Sequence, residues 1–276
     1  MASRVLSDED IAFVCDLVEK AGSLALSMRE GVEVSCKDSP DDKVTGADVA
    51  LSELITSALT ERFSCDCVVS EEHAEYLFER PLNRVWMIDP IDGTQNYILD
   101  DGQYCVMVGL LLELKPYFGW VYEPHSGCLY YGGPDYGSFK RPHGRPEAAQ
   151  AIARLPHLEA KSKARLLMGS RDRKKHPWVK DIDRVNLVKI GSIGLKVVRI
   201  LDKQADVFIH LSRKLKIWDT AAPAALALGA GLEVGGIDED SLHFPLPAII
   251  HDTSVIMGRP GALNWCRENL IEPSPN

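Results

Sequence analysis

The nine residues Trp86-Met87-Ile88-Asp89-Pro90-Ile91-Asp92-Gly93-Thr94 constrain this chain more than any other stretch. An apolar run with the character of a buried strand stops in two carboxylates, a proline, a glycine and a threonine. A sheet holds such a strand end rigid while the loop beyond it faces solvent, which is where α/β folds expose their chemistry. Asp89 and Asp92 bracket a tight turn and can aim at one point. Gly93 removes the side chain that would block a ligand, and Thr94 adds a hydroxyl beside its amide. Such a cluster suits hard, oxygen-ligated cations such as Mg²⁺, which keep positions open for water and phosphate. Two carboxylates alone would serve equally well as a capped turn.

Further acidic positions tip the balance. Cys67-Val68-Val69-Ser70-Glu71-Glu72 is another β-rich run ending in carboxylates, and Ile217-Trp218-Asp219-Thr220 places an aspartate just before an Ala/Leu-rich helix. Asp48, in Val44-Thr45-Gly46-Ala47-Asp48, opens a helix where the helix dipole favours negative charge. Each of these carboxylates sits at an element boundary. The Glu71-Glu72 pair, the Asp89-Pro90-Ile91-Asp92-Gly93-Thr94 motif and Trp218-Asp219-Thr220-Ala221-Ala222 together resemble the inositol monophosphatase superfamily of Mg²⁺-dependent, lithium-sensitive phosphatases. Order and separations match, and the resemblance covers nearly the whole chain.

The 276 residues suffice for one large domain or two compact ones. A net charge of −9 argues against a nucleic-acid coat or a binder of anionic membranes. An acidic metal site looks negative until cations fill it, so the charge does not exclude a phosphorylated substrate. The seven cysteines are odd in number and scattered, and Cys65-Asp66-Cys67 is too close for zinc-ligand spacing, so reduced thiols are expected. The first ten residues carry no apolar signal region and no run is long enough to span a bilayer. A cytoplasmic protein is expected.

Ser7-Asp8-Glu9-Asp10 caps a helix running to about Arg29, and a second spans about Gly46 to Arg62. Strands follow near 67–70 and 85–88, then a β-meander over 105–112, 117–122 and 127–131. Arg141-Pro142-His143-Gly144-Arg145-Pro146 is the best linker candidate. Beyond it, strand–helix alternation sets in: strand 165–168 before a basic loop, strand 189–190 before a glycine turn and helix, strand 207–209, and helix 218–228. The reading is α/β, with an α+β metal-binding half over 1–150 and an α/β half over 151–276 carrying substrate loops. The resemblance implies a layered α-β-α-β-α sandwich with its active site between the halves.

The resemblance also implies roles. Glu71, Asp89 and the carbonyl of Ile91 would hold one Mg²⁺; Asp89, Asp92 and Asp219 would hold a second, with two or three ions per site. Glu72 would stand behind them. Glu71 and Thr94 would position the attacking water, with Asp48 orienting the Thr94 hydroxyl, and the Gly93 and Thr94 amides would hold phosphate. Lys37 matches a family lysine near this loop. A haloacid-dehalogenase-type site separates its aspartates by one residue, whereas Pro90 and Ile91 both intervene here. Gly191-Ser192-Ile193-Gly194-Leu195-Lys196 lacks the lysine and hydroxyl spacing of a P-loop.

Substrate choice is expected in the second half. Gly169-Ser170-Arg171-Asp172-Arg173-Lys174-Lys175 and Gly191–Lys196 resemble loops of the 3′(2′),5′-bisphosphate nucleotidase branch, pointing to Ser170, Arg171, Ser192 and Lys196. A second phosphate needs such cations away from the metals. Where inositol monophosphatases place a glutamate against sugar hydroxyls, this chain has Ser212; Gly229 likewise replaces a family carboxylate. The expected reaction is conversion of 3′-phosphoadenosine 5′-phosphate to AMP and phosphate, with inositol monophosphatase or sugar bisphosphatase activity as the alternatives. The partner is a small phosphorylated molecule, not a nucleic-acid polymer or a membrane, and the chain is a monomer or homodimer.

Overall fold

Residues 5–29, 34–36, 43–73 and 82–271 are described by a computed structural model. Ser7 caps α1 (Asp8–Ser27): its hydroxyl accepts from the Asp10 amide while the Asp10 carboxylate accepts from the Ser7 amide. A short hairpin, β1 (Val34–Cys36) and β2 (Lys43–Thr45), leads to α2 (Gly46–Arg62), which Thr45 and Asp48 cap in the same reciprocal way.

A seven-stranded sheet comes next, its strands adjacent in chain order: β3 (Cys67–Ser70), β4 (Arg84–Asp92), β5 (Cys105–Leu112), β6 (Lys115–Glu123), β7 (Cys128–Gly133), β8 (Gly137–Pro142) and β9 (Gln150–Ala151). Only β3 and β4 are parallel, and the short helix α3 (Thr94–Leu99) interrupts the path from β4 to β5. The second sheet uses β10 (Ala164–Met168), β11 (Val185–Val188), β12 (Val207–His210), β13 (Glu233–Gly235) and β14 (Val255–Gly258) in the order β11-β10-β12-β14-β13. Between and around these strands lie α4 (Ser170–Lys175), α5 (Ile193–Leu201), α6 (Ile217–Gly229) and α7 (Ala262–Asn269).

Strand alternation sorts the apolar side chains into layers. Trp86, Ile88, Val106, Val108 and Trp120 pack with α1 and α2. Val85, Met87, Met107 and Val121, on the opposite face, pack against α5 and α6, which also meet Leu167, Phe208, Val255 and Met257 of the second sheet. Leu166, Val207, Ile209 and Ile256 then pack on Trp265 of α7. The sequence of layers is α-β-α-β-α, as the motifs led us to expect.

One contact sets the height of α6 above the first sheet. Gly109 of β5 and Gly119 of β6 are register partners. A Cβ on Gly109 would lie 2.7 Å from the Ala222 amide nitrogen, and one on Gly119 would run into the Ala222 carbonyl. The helix therefore rests on bare backbone, with Asp219 in its first turn.

Some expected boundaries shift. β4 continues through Asp89 to Asp92 rather than ending before the acidic motif, because β5 still pairs with it there. The basic segment after β10 is the helix α4, not a loop, and β11 ends at Val188, short of Lys189 and Ile190. Arg141 and Pro142, read as part of a linker, finish β8, and β9 still pairs with β8 beyond them. Lys37 lies outside the described residues. Cys15, Cys65, Cys67, Cys105, Cys128 and Cys266 are free thiols. Among the described residues no helix is long and apolar enough to cross a membrane.

Candidate active site

β4 brings Asp89 and Asp92 to one place by breaking its own regularity. Residues three apart on a regular strand face opposite sides. Here the register slips between Asp89, opposite Met107, and Asp92, opposite Cys105. Pro90 within the slip has no N–H to give the ladder. Gly93 follows with φ of 97°, and a Cβ there would also come within 2.9 Å of the Gln103 carbonyl, so only glycine suits the turn into α3.

Glu71 at the end of β3, Asp89 and Asp219 each offer an oxygen, and these atoms lie within 4.8 Å of one another. Asp89 is 2% exposed, and its Oδ1 is buried with no hydrogen-bond partner. Burial first, and then the charges of Glu71, Asp92, Asp219 and Asp48, push the Asp89 carboxyl well above the usual range. Burial, Glu71 and Asp92 do the same to Asp219, against the opposing bond from the Lys216 amide. A cluster of this kind is costly without positive charge and is relieved by it. Its donors are all oxygens. The nearby Cys105 thiol, 3.6 Å from Asp92 Oδ2, is held protonated by burial and by Asp92, so it is no ligand. The residues present fit a hard divalent cation.

Asp48 serves two elements. Its Oδ2 accepts from the Thr45 amide at 2.8 Å and hydroxyl at 2.6 Å, while its Oδ1 stands 3.3 Å from Thr94 Oγ1. That hydroxyl is also 3.2 Å from the Ile91 carbonyl, so its single proton faces both acceptors. Burial outweighs the Thr45 bonds and, with the charges of Glu72 and Glu71, raises the Asp48 pKa to about 6. The helix cap and the contact to Thr94 thus coexist in one side chain.

The four residues expected at the substrate loops separate. Ser170 and Arg171 open α4 and are exposed. Ser192 is fully buried as the N-cap of α5, and its hydroxyl donates to Asp92 Oδ2 at 2.5 Å. Lys196 is 1% exposed; its Nζ donates to the Gly191 carbonyl at 2.6 Å and the Ser192 carbonyl at 3.0 Å. Burial lowers its pKa to about 8 despite the opposing pull of Asp92.

Several contributors escaped the sequence reading. Asp172, buried in α4, accepts from the amides of Leu211 and Ser212 and from the Ser212 hydroxyl, pinning the turn after β12. The one carboxylate inside the basic Arg171–Lys175 run was its available signal. Lys216 holds Asp219 through its amide at 2.9 Å and places Nζ 4.0 Å from Glu71. Gly229, which the sequence did single out, ends α6, and a Cβ there would meet Ser138 Oγ at 2.6 Å and the Gly133 carbonyl at 2.7 Å. That crowding against β7 and β8 explains the missing carboxylate.

The model of the inositol monophosphatase family matches residues 7–270. The chain is 31% identical over 250 residues to the 3′(2′),5′-bisphosphate nucleotidase CysQ of Aggregatibacter actinomycetemcomitans, covering 88% of each chain. It is 28% identical over 224 residues to CysQ of Escherichia coli, covering 80% of this chain and 88% of that one. Among solved structures, the IMPase TM1415 of Thermotoga maritima superposes with a TM-score of 0.78 at 20% identity, over 94% of this chain and 97% of that one. An IMPase/NADP phosphatase complexed with NADP and Ca²⁺ gives the same score at 20% identity, over 95% and 96%. Carboxylate cluster, layered fold and these matches agree, and the chain belongs to the inositol monophosphatase family of phosphatases.

Proposed function

We propose that this phosphatase removes the 3′-phosphate of 3′-phosphoadenosine 5′-phosphate, releasing AMP and inorganic phosphate, with two or three Mg²⁺ ions as cofactor. The observation that carries the reading is the convergence of Glu71, Asp89 and Asp219 oxygens within 4.8 Å, beside the Thr94–Asp48 contact. Residues 1–150 supply the Asp-Pro-Ile-Asp-Gly-Thr part of that site; residues 151–276 supply Asp219 and the substrate loops.

When bound, Mg²⁺ neutralises phosphate charge and makes water a stronger acid. Glu71, Asp89 and the Ile91 carbonyl would hold one ion, and Asp89, Asp92 and Asp219 another. Thr94 donates to Asp48, which leaves its oxygen lone pairs to accept from the attacking water. Glu71 accepts the other proton of that water. The Gly93 and Thr94 amides, where α3 begins, hold the phosphate oxygens.

Two features favour a nucleotide over a polyol. Ser212 gives no carboxylate to sugar hydroxyls, and its hydroxyl is committed to Asp172. Relatives near 30% identity carry the bisphosphate nucleotidase name. Ser170, Arg171 and the Gly191–Lys196 turn would border the nucleotide. Arg171 would meet the second phosphate from the exposed side, while Lys196 shapes the turn whose carbonyls hold it.

The test is Mg²⁺-dependent phosphate release from 3′-phosphoadenosine 5′-phosphate, 2′-AMP, inositol 1-phosphate and a sugar bisphosphate. We expect the adenosine bisphosphate to have the highest kcat/KM. Arg171→Ala should lower it by about ten- to a hundredfold, the worth of a hydrogen bond to a charged group, and leave both monophosphates nearly unchanged. A wild type that prefers inositol 1-phosphate or the sugar bisphosphate would overturn the substrate assignment.

A further inference from the structure

We propose that the start of α5 is a clamp on Asp92, with Ser192 a positioning residue that fixes the metal-facing oxygen of that carboxylate and ties the substrate turn to it. The proposal rests on the metal-site reading above.

Asp92 Oδ2 is fully engaged. It accepts from the Ser192 hydroxyl at 2.5 Å and from the Gly194 amide at 2.6 Å. The direction of the first bond is fixed, because Ser192 Oγ already accepts from the Leu195 amide at 3.0 Å as the cap of α5. Its one proton goes to Asp92. The Cys105 thiol lies 3.2 Å from Ser192 Oγ and 3.6 Å from Asp92 Oδ2. A carboxylate held this way by two donors on another element cannot rotate. Oδ1 alone is left to face a cation.

The turn that supplies these donors is held from its other side as well. Its carbonyls, Gly191 and Ser192, accept from the enclosed Lys196 ammonium, and the Gly191 amide donates to Gln103 at 3.1 Å. The Gly194 amide reaches Asp92 only because no side chain intervenes. A Cβ there would lie 2.5 Å from Met107 Sδ and 2.7 Å from Cys105 Sγ. Position of the turn and orientation of Asp92 are therefore one variable. By linkage, whatever fixes one favours the other, so cation binding at Asp92 and nucleotide binding at the turn help each other.

The test is calorimetric titration of Mg²⁺ into the metal-free protein, without substrate, for wild type, Ser192→Ala, Ser192→Cys, Ser192→Thr and Asp92→Asn. Loss of a group that orients a ligand typically weakens metal binding by about 10- to 100-fold. That loss is expected for Ser192→Ala, with an intermediate one for the size-matched Ser192→Cys and recovery to within about threefold for Ser192→Thr. The Mg²⁺ concentration for half-maximal phosphate release should rise in parallel. Wild-type Mg²⁺ affinity in Ser192→Ala or Ser192→Cys, with only the KM for nucleotide raised, would make Ser192 a plain substrate contact and overturn the proposal. So would a Ser192→Thr variant as weak as the alanine. If wild type and Asp92→Asn alike bind no Mg²⁺, the metal reading itself fails, and the clamp with it.

Discussion

Replacing Asp89 by asparagine separates the cost of the acidic cluster from its use. At 4.8 Å, the limit of spacing among the Glu71, Asp89 and Asp219 oxygens, two full charges repel by about 3.5 kcal/mol at an effective dielectric of about 20. Without metal, the folded protein escapes this by keeping a proton on Asp89, whose pKa burial and its acidic neighbours raise. The same carboxyl in the unfolded chain titrates near about 3.9. Between that value and the raised one the folded state holds a proton that the unfolded state has released. Metal-free stability therefore falls as pH rises through this window and is fully present below it. Asp89→Asn has no such proton to lose, and its amide can donate to the flanking carboxylates. In EDTA at pH 8 we expect the variant to be more stable than wild type by about 1–3 kcal/mol, a large part of the charge repulsion it removes. The gap should narrow as pH falls and close only at about pH 4 and below, where the unfolded carboxyl is protonated too. Mg²⁺ should reverse the order, adding about 2.7 kcal/mol to wild type at a hundred times its Kd and little to a variant without the bridging carboxylate. Turnover should fall below about a tenth of wild type, as loss of a charge-stabilising metal ligand requires. Urea unfolding at both pH values, with EDTA and with Mg²⁺, reads all of this alongside phosphate release. A metal-free variant less stable than wild type at pH 8 would refute the repulsion argument, and near-normal turnover would refute the bridging role.

Other outcomes follow from neighbouring contacts. Li⁺ at millimolar or lower concentration should inhibit uncompetitively by occupying the position flanked by Asp92 and Asp219; initial rates unchanged between LiCl and NaCl at matched ionic strength would remove that expectation. Asp206 accepts from Arg165 Nε at 2.9 Å and Arg259 Nη1 at 2.8 Å, and despite burial these bonds hold its pKa at about 2. A lowered carboxyl pKa gives stability that is present above the unfolded value and lost as pH falls toward the folded one. Asp206→Asn should thus cost about 2 kcal/mol at pH 7, allowing for solvent screening around the half-exposed Arg165, and far less near pH 2; an equal cost at both, measured by urea unfolding, would refute the ion-pair account.

What the sequence made legible was local. Ser7 and Asp10, or Thr45 and Asp48, announce a helix start because both partners of the cap lie within one turn. The acidic motif announces itself because the end of β4 and the start of α3 carry Asp89, Asp92 and Thr94 within six residues. Asp172 was hidden for the opposite reason: its partners Leu211 and Ser212 lie in the turn after β12, and only the packing of α4 against that strand end brings them together. Lys196 was read as a cation of the substrate loop, and the sequence carried no sign that it is enclosed. Its burial depends on two carbonyls of its own turn folding back to receive it, which no spacing rule encodes. The extension of β4 through Pro90 likewise depended on a partner, β5, rather than on the propensities of the motif.

The two glycines beneath α6 bear on which ions the proposed metal site would tell apart. Layers separated by side chains change their spacing as rotamers change, whereas backbone resting on backbone has one closest approach. Because Gly109 and Gly119 leave nothing between the sheet and Ala222, the carboxylate at the start of α6 stands at a single height over β4. Mg²⁺ and Ca²⁺ differ by only a few tenths of an ångström in their oxygen distances and more in their tolerance of irregular geometry. On the proposed metal-site reading, a helix that cannot settle lower or ride higher would act as a ruler for ionic radius, and any side chain slipped under it would recalibrate the ruler toward larger ions.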